Sequence, residues 1–141
     1  MGFRVKVEGN DTIELGVENI ETVEFKTDTP DDSNARSTDL GVTLKVTGKI
    51  LAAVDGEEAD QTIKLAQWSL VRAEDADCYR NIVIDVIAAS QVVRQITFPN
   101  AFVVDYTEDF GDEEGVGTFY LYVKQKKDKT AQVAFEGGFG E

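Results

Sequence analysis

Apolar and polar side chains alternate through most of this chain. Phe3, Val5 and Val7 alternate with Arg4, Lys6 and Glu8, the period of two of a strand with one buried face. Gly9-Asn10-Asp11 then reads as a turn. The next extended stretch is weakly patterned from Ile13 to Val17 and clearer where Val23 and Phe25 alternate with Glu24 and Lys26, and it is expected to form a hairpin with the first strand. Val42, Leu44 and Val46 alternate with Thr43, Lys45 and Thr47, predicting a strand that passes Gly48 and ends by Ala53. Asn81 to Ile87 is dense in β-branched residues and predicts a strand buried on both faces. Ala88-Ala89-Ser90 predicts a bulge or tight turn, Gln91 to Phe98 is extended again, and Pro99-Asn100 suits an edge or a bend. Phe102, Val104 and Tyr106 alternate after it. Past an acidic, glycine-punctuated loop, Phe119, Leu121 and Val123 alternate against Tyr120 and Tyr122, and a last strand reaches Phe135.

One segment changes period. Ala59, Ile63, Ala66 and Leu70 recur at helical spacing behind Asp55, Glu57 and Glu58, whose charge suits a helix N-terminus, so a helix is predicted from Glu57 to Arg72. Leu65 and Trp68 fall off that stripe, and Trp68 is read as core. The expected fold is mainly β: a small barrel or sandwich of antiparallel strands with one flanking helix, forming a single domain over residues 1–141.

Charge narrows the partners. A formal net charge of −13 opposes binding to nucleic acid or to anionic membrane. The longest apolar stretch, Ile82 to Ala89, is broken by Asp85 and is far short of the roughly 20 residues of a membrane helix. Met1 leads straight into a strand-like segment with no secretion-signal pattern, so synthesis and folding in the cytoplasm are expected. The polar stretch from Thr27 to Asp39 predicts a long exposed loop, either functional or flexible.

The chain contains no histidine and a single cysteine, Cys78, which excludes Ser-His-Asp and Cys-His catalysis and the usual zinc sites within one chain. Cys78 is expected to be a buried or idle thiol, not a nucleophile. Asp75-Ala76-Asp77 and the acidic run around Glu108 to Glu114 offer hard oxygens, but neither follows a calcium-loop pattern. No cofactor is expected.

The run Ile96-Thr-Phe-Pro-Asn-Ala-Phe-Val-Val-Asp-Tyr106, the charged loop, and Thr118-Phe-Tyr-Leu-Tyr-Val-Lys-Gln-Lys126 resemble the closing strands of tube-forming proteins. That family comprises the haemolysin-coregulated protein of type VI secretion and the tube proteins of contractile phage tails. The resemblance implies a structural protein, not an enzyme, forming six-membered rings that stack head to tail into a tube. It also implies sheath, baseplate or spike partners, and ejection or carriage in a particle. The loop after the second strand would reach a neighbouring ring, which here means Asp28, Thr29, Asp31, Asp32, Asn34 and Arg36. Independently of the family, the strand from Thr118 to Lys124 separates acidic residues (Glu108, Asp109, Asp112, Glu113, Glu114) from basic ones (Lys124, Lys126, Lys127, Lys129), and head-to-tail stacking would bring these unlike ends together.

Two other readings fit the same residues. In a monomeric carbohydrate-binding sandwich, Trp68, Tyr106, Tyr120 and Tyr122 would form an exposed platform. An enzyme would have to work with carboxylates alone.

Overall fold

The computed structural model describes residues 1–28, 41–51, 61–111, 116–125 and 134–137. Among them the alternating segments become eight antiparallel strands of one sheet. These are β1 (Gly2–Glu8), β2 (Ile13–Leu15), β3 (Ile20–Asp28), β4 (Gly41–Leu51), β5 (Arg80–Ala88), β6 (Gln91–Phe110), β7 (Val116–Gln125) and β8 (Ala134–Gly137). The spatial order is β2-β1-β5-β6-β7-β4-β3, with β8 paired to β6.

The sheet is curled into a barrel-like shell. Val5 and Val7 of β1, Leu44 and Val46 of β4, Ile82 and Ile84 of β5, Phe98 of β6, and Leu121 and Val123 of β7 all belong to one buried cluster. A flat sheet could not bring its two ends into one core. Phe25 of the end strand β3 meets Phe98 of β6 edge-on at 6.3 Å between ring centroids, and Phe135 of β8 at 5.0 Å.

One turn corrects an expected boundary, and another falls where the sequence placed a bulge or tight turn. The stretch from Ile13 to Phe25 is two strands, because residues 16–19 turn the chain, with the Asn19 N–H donating to the Gly16 carbonyl at 3.0 Å. Only β2 pairs with β1, while β3 pairs with β4. Ala89 and Ser90 take φ of 52° and 63° between the paired residues Ala88 and Gln91, the two-residue turn that favours Asn-Gly. Ala89→Asn with Ser90→Gly is expected to stabilise the fold by about 1 kcal/mol in thermal melts, since an ordinary residue pays roughly that much for left-handed backbone.

β5 is not buried on both faces. Ile82 and Ile84 are buried, Asn81 is exposed, and Val83, Asp85, Val86 and Ile87 are half-buried.

Pro99-Asn100 lies in mid-strand as a bulge, not at an end. β6 runs through it for 20 residues. Proline has no N–H to give the ladder, and side chains satisfy the neighbouring backbone groups that the bulge leaves unpaired. Gln125 Nε2 donates to the Pro99 carbonyl at 2.8 Å, and the Asn100 N–H, at φ 56°, donates to Asn81 Oδ1 at 3.1 Å.

The described helix, α1, spans Thr62–Ser69. Its buried face is Thr62, Leu65 and Trp68. The stripe expected to pack inward points out instead: Ile63 is 54% exposed and Leu70 81%. Both stripes have helical spacing, and the larger apolar area wins the core. The Trp68 indole N–H also finds a buried acceptor there, the Cys78 carbonyl at 3.0 Å.

Candidate assembly surfaces

Three features of the shell could carry function: a charged groove, the two ends of the strands, and the unpaired edges of the sheet. The groove, about 800 Å³, lies over β1, β2 and β5 and is lined by Arg4, Lys6, Glu14, Lys64, Asp85 and Gln95 among others. Its cations already face carboxylates. Arg4 pairs with Asp85 at 3.2 Å, Lys6 with Glu8 at 3.9 Å, and Lys64 with Asp11 at 3.5 Å. Gln95 Nε2 donates to Asp85 Oδ1 at 2.9 Å. The groove is a knit polar surface.

The aromatic platform of the sandwich reading is not assembled. Trp68 is buried with the Arg80 guanidinium 5.5 Å from its ring. Tyr106 lies on the core side and gives its hydroxyl proton to Glu108 at 2.7 Å. Tyr120 and Tyr122 lie on the opposite face of the sheet, where Lys45 sits 5.1 Å over the Tyr122 ring.

The Asp75–Asp77 pair serves structure. Asp77 Oδ2 binds Arg80 at 2.5 Å, and Asp77 Oδ1 accepts the Asn10 N–H at 3.0 Å. Asp75 Oδ1 caps the short 3₁₀ turn Ala76–Cys78 by accepting the Asp77 N–H. Burial pushes the Asp77 carboxyl up, but the Arg80 hydrogen bond, the Asn10 N–H and the Arg80 charge outweigh it and hold its pKa below the usual carboxylate value. Cys78 is buried. Its thiol is pushed up by burial first and then by Asp75, Asp77 and Glu74, which leaves little thiolate to react at neutral pH.

The register places the expected contact residues. Asp109 pairs with Thr118 and Glu108 with Phe119, while Lys124 pairs with Phe102 and Thr43. At about 3.3 Å per residue, Thr118 and Lys124 are roughly 20 Å apart, so the carboxylates and the lysine stand at opposite ends of the hairpin. Asp28 pairs with Gly41, close to the Thr43–Lys124 pair, so Asp28 stands at the Lys124 end. Asp109 and Lys124 are exposed, and Glu108 is half-buried. Thr29, Asp31, Asp32, Asn34, Arg36, Asp112, Glu113, Glu114, Lys126, Lys127 and Lys129 lie outside the described residues.

The unpaired edges escaped the sequence. β5 pairs with β6 only up to Ala101, and from Phe102 to Phe110 the sole strand partner of β6 among the described residues is β7. Among the described residues, β3 pairs only with β4. Among the described residues, the sheet section β3-β4-β7-β6 therefore has a free strand edge on each side. Pro99-Asn100 was the available signal, since a bulge that bends a strand lets its two halves face different neighbours. The expected alternation of Phe102, Val104 and Tyr106 is also broken. A second register shift between Val103 and Asp105 leaves Val104 without a partner, so Phe102 faces outward with Asp105 while Tyr106 faces the core.

No protein-family model matches this sequence, and no curated protein does. Solved structures do. A chain in the six-fold-symmetrised baseplate of the anti-feeding prophage superposes with a TM-score of 0.56, covering 96% of this chain and 93% of its own length, at 16% identity. Hcp1 from Flavobacterium johnsoniae gives 0.55, covering 98% and 97%, at 15% identity. This is the Hcp-type tail-tube fold. A chain of the sheath–tube complex of the PVC extracellular contractile injection system, in its extended state, gives 0.52 over 97% and 89% at 12% identity. At such identities the likeness is one of fold, and it spans nearly the whole chain. The resemblance read from Ile96 to Lys126 therefore holds for the tail-tube fold as a whole. Among the described residues no helix is long and apolar enough to cross a membrane.

Proposed function

We propose that this protein is a structural subunit, not an enzyme, whose copies close into six-membered rings that stack head to tail as the inner tube of a contractile, phage-tail-like apparatus. One observation carries the reading. A single section of sheet presents one free edge on β3 and another on β6, and two different edges make a heterologous contact, the kind that generates closed rings. Exposed edges of this length invite pairing with another chain, and pairing between copies satisfies them. The six-fold arrangement of the similar anti-feeding prophage chain supports the count. Sheath, baseplate or spike proteins are the further partners of such a tube. Assembly would take place in the cytoplasm, with later ejection or release in the particle.

Mass measurement in solution with negative-stain microscopy tests this. Rings of six copies, or tubes built from them, are expected, and a strict monomer at high protein concentration overturns the reading.

Stacking is proposed to join the Glu108–Glu114 end of one ring to the Lys124–Lys129 end of the next, with the stretch from Asp28 reaching across from the lysine end. Lys126→Glu together with Lys127→Glu is expected to leave rings intact and shorten or abolish tubes at low salt, where exposed charges are least screened. Tubes of unchanged length in that variant would remove the charge contact.

A further inference from the structure

The edges that close the ring in the proposed function can meet in several registers, and the charges on them discriminate. We propose that Lys26 of one copy lies opposite Asp105 of the next and that this pair sets the seam; the inference rests on the ring reading above.

Direction comes first. β3, β4, β7 and β6 alternate in direction, so β3 of one copy meets β6 of its neighbour antiparallel, continuing the sheet. Face comes next. On β3, Val23 and Phe25 pack against the core, so Thr22, Glu24 and Lys26 lie on the outer face. On β6, Asp105, Thr107 and Asp109 pair with Tyr122, Tyr120 and Thr118 and share that outer face. All six are exposed. Neither Lys26 nor Asp105 has an ion-pair partner among the described residues of its own chain.

Because side chains alternate, the register moves in steps of two residues if outer face is to meet outer face. Glu24 opposite Asp105 sets two carboxylates against each other. Lys26 opposite Thr107 sets Glu24 against Asp109, with the same fault. Thr22 opposite Asp105 brings no cation to Asp105, and Lys26 opposite Asp109 pairs unlike charges but carries most of β3 past the end of β6 at Phe110. Lys26 opposite Asp105 places Glu24 against Thr107 and Thr22 against Asp109, which gives one opposite-charge pair and no like-charge pair. Directly opposed like charges destabilise a strand pair and unlike charges stabilise it. The favoured register is also displaced from the level at which Glu24 and Asp105 stand within one chain, where both belong to the row through Lys45 and Tyr122. A stagger of that kind is what a closed barrel of tilted strands requires.

Disulfide capture reads the register directly. Within one chain Lys26 and Asp105 are three strand spacings apart, about 14 Å, too far for a disulfide, so a bond between cysteines placed there joins two copies. Lys26→Cys with Asp105→Cys is expected to cross-link oxidised rings into a ladder on non-reducing gels, up to the full ring. Glu24→Cys with Asp105→Cys is expected to remain single chains. Cross-linking of the second pair in place of the first, or no cross-linking in rings that microscopy shows to be intact, overturns the register and leaves the ring standing.

A charge swap checks the same contact without cysteine. Lys26→Asp or Asp105→Lys alone is expected to raise the concentration for half-assembly about tenfold, as a like-charge pair replaces an unlike one, and the two together to restore it. Failure of the double variant to recover overturns the pair. If the unaltered protein forms no rings at all, the proposed function falls first and the seam with it.

Discussion

Asp77→Ala will cost the fold about 3–5 kcal/mol, the penalty for leaving one partner of a buried ion pair without the other. The Arg80 side chain is 7% exposed and that of Asp77 12%. The pair fastens several elements at once. Arg80 reaches Asp77 through Nη2 and, through Nε, the Asp77 carbonyl at 3.1 Å. Asp77 holds the turn between β1 and β2 through the Asn10 N–H, and Arg80 lies against Gly9 and over Trp68. Urea unfolding at neutral pH measures the loss.

The pH profile separates this role from simple packing. The Asp77 pKa is lowered in the folded protein, so its contribution is fully present above the ordinary carboxylate value near 3.9 and disappears as pH falls through the lower folded value. The stability gap between the original protein and Asp77→Ala is therefore expected to be constant from about pH 5 to 7 and to narrow below about pH 4. A gap independent of pH down to strong acid would mean that the carboxylate charge plays no part.

Gly48→Ala will cost about 3 kcal/mol, at the upper end of what overpacking costs. Gly48 sits in β4 between Ile20 and Phe119. A methyl group there would meet the Phe119 ring at 2.7 Å and run into the Asn19 carbonyl oxygen. The ring could tilt, but the carbonyl is held by the Lys49 N–H at 2.6 Å. Phe119→Leu in the alanine background is thus expected to recover little of the loss. Near-full recovery would put the strain on the ring alone. The urea midpoint decides between them, provided the slope is unchanged.

Much of the strand content was legible because alternation with one buried face leaves a period-two signature that needs no knowledge of partners. Phe119, Leu121 and Val123 are buried as their spacing demands, and so are Val5 and Val7. The helix shows where that reading stops. Ile63 and Leu70 hold helical spacing as well as Leu65 and Trp68 do, and the Cys78 carbonyl and the Arg80 guanidinium, which join the larger apolar area in making the second stripe the inner one, arrive from outside the helix. Pro99-Asn100 was legible as a bend, but its place in mid-strand depends on Gln125 and Asn81, which arrive from other strands.

By itself, then, the sequence determined a β-rich chain with one helix, strands at the positions where alternation holds, and a surface whose charge disfavours nucleic acid. It also carried enough of the closing strands, Ile96 to Lys126, to point to the tail-tube fold. Only the tertiary structure decided which strands are neighbours, that β6 changes partners at Ala101, and that β3 and the far half of β6 are left as edges. The reason is physical. Alternation records which face of a strand is buried, whereas an edge is defined by backbone hydrogen bonds that another strand does or does not supply, and the N–H and C=O groups that make them are the same in every residue but proline.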